Sequence, residues 1–381
     1  MPYRDRISSP GPKKLLALDG GGIRGVVTLE VLRRLETMLA EQLGVGDDFV
    51  LADYFDYIAG TSTGAVIAAG LAKGLRVQEI LDLYLRHCEE MFDHVSLRRR
   101  YHYRYGSLRL RELLQGILGK DTTLGSEDLK TLLLVVVRNA TTDSPWPLSN
   151  NPYAIFNDPS RADNNLNIPL WQLVRASTAA PTYFPPEEVR LGENDFVFVD
   201  GAVTMYNNPA FQLFLMATLD AYRLCWPATE SDLLLVSVGT GTSPKADDHL
   251  RPGAMNLIFN ANSVPAALMY AALNEQDLLC RVFGRCRHGA PIDMEVGDLM
   301  GGKGLLQDRL FSYVRYNPDL SRRGLNDLGL VDVVPDHVQR LDSVQHVHDL
   351  CRVGQAAGRA VAAEHFAGFL RRAADTAGPE S

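Results

Sequence analysis

Gly60-Thr61-Ser62-Thr63-Gly64 follows the apolar run Phe55-Asp56-Tyr57-Ile58-Ala59 and leads directly into Ala65-Val66-Ile67-Ala68-Ala69-Gly70. This order predicts a strand, a tight turn and the start of a helix. In the pattern Gly-x-Ser-x-Gly the small residues at Gly60 and Gly64 let the chain bend sharply, lifting the serine hydroxyl above the sheet edge while the helix aims free N–H groups at the same space. A polar turn that merely caps a helix would read the same over five residues. Whether Ser62 is a nucleophile therefore depends on what the rest of the chain brings to it.

Upstream, Leu15-Leu16-Ala17-Leu18-Asp19 predicts a short strand, Gly20-Gly21-Gly22-Ile23-Arg24-Gly25 a glycine-rich turn, and residues 26–43 a helix with Val27, Val31, Leu35, Met38 and Leu39 at helical spacing. Strand, glycine turn and helix thus occur twice in succession, which predicts a mostly parallel sheet with crossover helices. Further strands are expected at 131–138, 196–199 and 233–238, and helices at 71–90, 171–180, 209–222, 266–279 and 338–372. The strands end in Asp200-Gly201-Ala202 and Gly239-Thr240-Gly241-Thr242, so small and polar residues should gather along one sheet edge, where open α/β sheets bind ligands. Residues 1–12, with Ser8-Ser9-Pro10-Gly11-Pro12, read as a flexible arm. Residues 13–250 read as the catalytic domain, and 251–381 as a mainly helical extension packed on it.

The 381 residues carry a formal charge of −8, which argues against a protein that binds DNA or RNA over its whole surface. No run reaches membrane-spanning length and the N-terminus lacks the apolar stretch of a secretory signal, so a cytoplasmic location is expected. Cys88, Cys225, Cys280, Cys286 and Cys351 are odd in number and scattered, which fits reduced thiols; no metal site is assigned. One stretch, 91–112, stands apart as a basic insertion. It gathers Arg98, Arg99, Arg100, Tyr101, Tyr103 and Arg104, a pattern suited to lipid headgroups or an anionic ligand, and equally that of a solvated loop.

The glycine run 20–25 formally matches a dinucleotide fingerprint, but no second strand ending in an acidic residue follows at the expected distance. Three adjacent glycines expose backbone N–H groups, and an oxyanion hole formed within Gly20, Gly21, Gly22, Ile23, Arg24 and Gly25 is the better reading. The P-loop spacing at residues 297–304 fails where the magnesium-binding hydroxyl belongs. For the base that a serine needs, His249, His288, His337, His346, His348 and His365 are available by order, which leaves a Ser-His-Asp triad open. None of them sits in a short loop after a clear strand. Asp200 does follow an apolar strand, with Gly201 and Ala202 behind it, where it could pair directly with Ser62.

Asp19-Gly20-Gly21-Gly22-Ile23-Arg24-Gly25, Gly60-Thr61-Ser62-Thr63-Gly64 and Asp200-Gly201-Ala202, in that order, resemble the patatin-like phospholipase family. Residues 175–186 and Asn207-Asn208-Pro209 add to the resemblance, which covers about 13–245. It implies a three-layer α/β/α patatin-like fold. It also implies a Ser62–Asp200 dyad with an oxyanion hole in the glycine loop, and hydrolysis of phospholipid acyl esters without a cofactor, peripherally on the inner membrane surface. Some bacterial members are anti-phage effectors switched on by a cyclic dinucleotide, and the basic stretch offers such a ligand guanidinium and aromatic partners. The alternatives are a triad esterase or thioesterase, and a non-catalytic lipid-binding homologue. Self-association into a homo-oligomer is left open.

Overall fold

The computed structural model describes residues 3–46, 48–92, 103–181, 183–242, 257–301 and 306–370. Among these, the strands are β1 (Lys13–Leu18), β2 (Tyr57–Thr61), β3 (Leu132–Asn139), β4 (Ser144–Ser149), β5 (Glu187–Leu191), β6 (Asn194–Asp200), β7 (Leu233–Val238), β8 (Arg285–His288) and β9 (Ser312–Tyr316). The helices are α1 (Tyr3–Ser8), α2 (Gly25–Leu43), α3 (Leu51–Tyr54), α4 (Thr63–Ala72), α5 (Val77–Phe92), α6 (Tyr103–Leu118), α7 (Leu170–Ser177), α8 (Ala210–Thr218), α9 (Leu257–Phe283), α10 (Arg322–Asp327), α11 (Pro335–Gln339) and α12 (Val347–Gly358). The sheet runs β5-β6-β3-β2-β1-β7-β9-β8, with β4 also paired to β3. β1, β2, β3, β7, β8 and β9 run parallel; β4 and β6 run against them, and β5, antiparallel to β6, returns to their direction at the edge. β2, β7 and β9 are buried at every residue. Successive side chains point to opposite faces, so helices must cover both, and the result is a three-layer α/β/α arrangement.

Register explains why two chain segments 138 residues apart meet. Thr61, the last residue of β2, pairs with Val136 of β3, and Asp200, the last residue of β6, pairs with the next residue, Val137. Because β4 pairs with both Val136 and Val137 on the opposite edge of β3, β2 and β6 share one edge, running toward each other from opposite ends. Their C-termini therefore converge, one delivering Ser62 and the other Asp200.

Two expectations about the ends of the chain are corrected. The N-terminal arm is not loose over residues 3–8, which form α1 with Tyr3 and Arg6 buried. The Arg6 guanidinium donates to the carbonyls of Lys130 and Ala52, and the Trp226 indole donates to the Ile7 carbonyl at 3.1 Å. Breaker residues signalled only the turn after it. The C-terminal extension is not simply helical either: β9 and β8 extend the central sheet beyond β7. The apolar alternation in Ser312-Tyr313-Val314-Arg315-Tyr316 is interrupted by an arginine that is itself buried. α12 packs along α2, and at Gly354 an added Cβ would lie 2.6 Å from Glu30 Cβ.

Candidate active site

Ser62 caps α4 with φ 55° and ψ −123°, a conformation outside the usual regions for a residue with a Cβ and one that costs of order 1–3 kcal/mol. The flanking glycines make this bend feasible. An added Cβ at Gly60 would meet the Gly64 carbonyl at 2.1 Å, and one at Gly64 would meet the Leu18 carbonyl at 2.3 Å. The elbow is thus wedged against the end of β1. The Ser62 amide donates to Ser177 Oγ at 2.9 Å, and that hydroxyl donates on to the Val136 carbonyl at 2.7 Å. Ser177, at the end of α7, fastens the elbow to β3.

The Ser62 hydroxyl donates to Asp200 Oδ2 at 2.7 Å, and the other carboxylate oxygen accepts the Ala202 amide at 2.8 Å. Both side chains are nearly inaccessible to water. Burial pushes the Asp200 carboxyl up from an ordinary 3.8 to about 7, against the opposing effects of the Ala202 amide, the Ser62 hydroxyl and the Arg175 charge. Desolvation of the charged form is the dominant cause. Gly201 is confined by β3, since a Cβ there would sit 2.3 Å from the Val136 carbonyl. Arg175 is buried beneath this corner over the Phe184 ring, at 5.3 Å from its centroid. Two of its guanidinium nitrogens have no partner among the described residues.

The glycine loop lies beside the serine, an added Cβ at Gly20 falling 3.2 Å from Ser62 Cβ. Its amides are not equivalent. Gly20 donates to the Asn207 carbonyl at 3.1 Å, Ile23 to the Leu341 carbonyl at 3.0 Å, and Arg24 to the Gly21 carbonyl at 3.3 Å. Gly25 is engaged with the carbonyls of Gly22 and Ile23. Among the described residues this leaves the Gly21 and Gly22 amides without an acceptor. Gly22 has φ +60°, and a Cβ there would come within 2.2 Å of the Leu341 carbonyl.

Below the loop Asp19 is fixed by a bidentate pair with Arg315 at 2.8 and 2.5 Å, and the same guanidinium donates to Ser237 Oγ at 2.6 Å. Arg315 and Leu341 are the contributors that the sequence did not disclose, and Ser177 stood within the 175–186 segment without a role. Arg315 lies on a strand inside the mainly helical extension, while a backbone carbonyl carries no motif.

The described histidines stand elsewhere. His288 and His365 stack on each other with centroids 4.4 Å apart, His337 and His346 do likewise at 3.5 Å, and His348 is exposed. None of these hydrogen-bonds to Ser62 or Asp200. His249 and the stretch Arg98, Arg99, Arg100 and Tyr101 lie outside the described residues, as do the side chains of Tyr103 and Arg104.

The family model for patatin-like phospholipases matches residues 16–214, from the first strand through Asp200 and into α8. The chain belongs to the patatin-like phospholipase family. A cGAMP-activated phospholipase of Vibrio cholerae is 31% identical over 240 residues, 60% of this chain and 64% of that protein. An intracellular phospholipase A2 of Caenorhabditis elegans is 34% identical over 236 residues, 60% of this chain and 20% of the relative. Patatin-like protein 1 of Arabidopsis thaliana is 29% identical over 283 residues, 66% and 65% of the two chains. The chain thus spans less than two thirds of the length of each. Among the described residues, no helix is long and apolar enough to cross a membrane.

Proposed function

We propose that this family member is a lipid acyl hydrolase that cleaves acyl esters of membrane glycerophospholipids through Ser62 and Asp200. The observation that carries the reading is the 2.7 Å hydrogen bond from the Ser62 hydroxyl to a carboxylate with a pKa near neutrality, at the converging ends of β2 and β6. A group titrating near the working pH can both accept and return a proton. Ser62 Oγ attacks the ester carbonyl as its proton passes to Asp200, and the tetrahedral oxyanion accepts hydrogen bonds from the Gly21 and Gly22 amides. Collapse expels the alcohol, which takes the proton from Asp200 and leaves an acyl-serine. Water then attacks that ester, Asp200 accepts its proton, and breakdown of the second tetrahedral intermediate releases the fatty acid and restores the hydroxyl.

The reaction needs access to lipid, and we assign that contact to the basic stretch containing Arg98, Arg99, Arg100, Tyr101, Tyr103 and Arg104, acting peripherally at the inner membrane surface. Replacing Arg98, Arg99 and Arg100 by alanine should weaken binding to anionic liposomes; unchanged binding with the fold intact contradicts the assignment. Relatives from Vibrio cholerae and Escherichia coli are named cGAMP-activated phospholipases, which favours a cyclic dinucleotide as the switch for this chain as well. The experiment is product analysis by mass spectrometry on phospholipid vesicles, with and without a panel of cyclic dinucleotides. Wild type should release fatty acid, Ser62→Ala and Asp200→Asn should not, and single His→Ala variants should retain activity. Loss in a folded histidine variant would favour a triad, and no product under any condition would favour lipid binding without turnover.

A further inference from the structure

The segment that covers the glycine loop carries a cluster that the acyl transfer does not use. It includes α11, Leu341, a 3-10 turn (Val344–His346) and the start of α12. Besides the Leu341 contact to Ile23, the Arg24 guanidinium donates to the Gln339 carbonyl at 3.3 Å. His337 comes from α11 and His346 from the turn, and their rings stack 3.5 Å apart with 9° between the planes. Asp349, from the first turn of α12, places Oδ2 3.9 Å from His337 Nδ1. Its other oxygen accepts from Arg352 at 3.3 Å, so one oxygen is committed and one faces the imidazoles. Arg340 is turned aside onto Asp342.

One ligand atom from each of His337, His346 and Asp349 lies within 4.8 Å of the other two. Among the described residues, neither imidazole makes a hydrogen bond that would have to be broken. Both histidines line a cleft of about 340 Å³, which gives an ion and its water a way in. Two imidazoles and a carboxylate, with a position left for water, are a donor set for first-row divalent ions, zinc above all. At metal–nitrogen bonds of about 2.0–2.1 Å, two ligating nitrogens on a tetrahedral ion lie roughly 3.4 Å apart, so the cluster is already gathered. The rings need only turn out of their stack until both planes contain the ion.

We infer that His337, His346 and Asp349 form a zinc-class divalent metal site which fastens α11, the 3-10 turn and α12 to one another around Leu341. The ion has no part in the acyl transfer. Its effect is to fix the segment whose Leu341 carbonyl rests against Ile23 and Gly22.

The test is competition of the full chain with a chromophoric chelator for Zn²⁺, together with Co²⁺ loading followed by visible absorption. Wild type should bind one equivalent that His337→Ala, His346→Ala and Asp349→Asn each weaken by more than about 10-fold, since loss of a direct ligand exceeds loss of a residue that only hydrogen-bonds to one. The Co²⁺ bands of a low-coordinate nitrogen and oxygen site should vanish with either histidine. His348→Ala, which removes an exposed neighbour outside the cluster, should bind as wild type does, and His337→Gln keeps the test readable if the alanine variant misfolds. Zn²⁺ should also raise the melting temperature of wild type and leave that of the three ligand variants unmoved. Equal Zn²⁺ binding in wild type and all ligand variants, or no binding at micromolar Zn²⁺, overturns the inference.

Discussion

Replacing Asp200 by asparagine should make the protein more stable at alkaline pH while abolishing its activity. The buried carboxyl has its pKa raised from 3.8 to about 7 in the folded state, so folding disfavours its ionised form. A group with a raised folded pKa contributes stability that is fully present below 3.8 and lost as pH rises through about 7. Linkage gives a cost of about 1.5 kcal/mol at pH 5 and about 4 kcal/mol at pH 8 for holding this one aspartate in place. Asparagine has nearly the same shape and no charge. Its carbonyl oxygen can accept the Ala202 amide and its NH₂ can donate to Ser62 Oγ; the serine O–H then loses its acceptor, a cost that does not change with pH. Urea denaturation of both proteins at a series of pH values isolates the effect, because every other titrating group is common to the two. The variant's advantage should grow by about 2–3 kcal/mol between pH 5 and pH 8. A constant difference, or a variant less stable than wild type at pH 8, would refute the reasoning.

The same carboxyl sets the pH profile: if ionised Asp200 is the base, kcat/KM should climb about tenfold per pH unit up to roughly pH 7 and then level off, and a flat profile across that range would contradict it. Ser177→Ala removes the acceptor of the Ser62 amide and the donor to Val136, and should cost about 1–3 kcal/mol in denaturant melts through unsatisfied buried groups, with a parallel loss of kcat. Gly22→Ala combines a φ of +60° with a 2.2 Å approach to Leu341; we expect a loss of about 1–3 kcal/mol and of hydrolysis, both read from the same purified variant. Arg315→Met strands Asp19 in the core and should destabilise by about 3–5 kcal/mol, whereas the double variant with Asp19→Leu should regain much of that in thermal melts.

The parallel sheet was legible because β1, β2, β3 and β7 are short apolar runs, and β2 and β7 lead directly into turns of glycine, serine and threonine, a local signal that tertiary contacts do not override. Ser62, Asp200 and the glycine loop were legible because each chemical demand, a bend, a base and exposed amides, restricts the residue types over a few positions. The elements that the sequence hid depend on distant partners. β9 contains a charged residue that is stable in the core because Asp19, just past the end of β1 and nearly 300 residues earlier, meets it there. α1 looks like a solvated lead-in until Arg6 is seen inserted among the carbonyls of Lys130 and Ala52. Leu341 reaches the site through its carbonyl, an atom that every residue possesses, so no side-chain pattern could mark it.

The central claim, that Ser62 is the nucleophile, is tested most directly by treating the protein with a fluorophosphonate and mapping the adduct by mass spectrometry, with the cyclic dinucleotide panel in parallel. A serine activated by Asp200 should carry one adduct on Ser62, absent from Ser62→Ala and strongly slowed in Asp200→Asn. An adduct on another residue, or labelling of Ser62 that proceeds at the wild-type rate without the Asp200 carboxylate, would contradict the account.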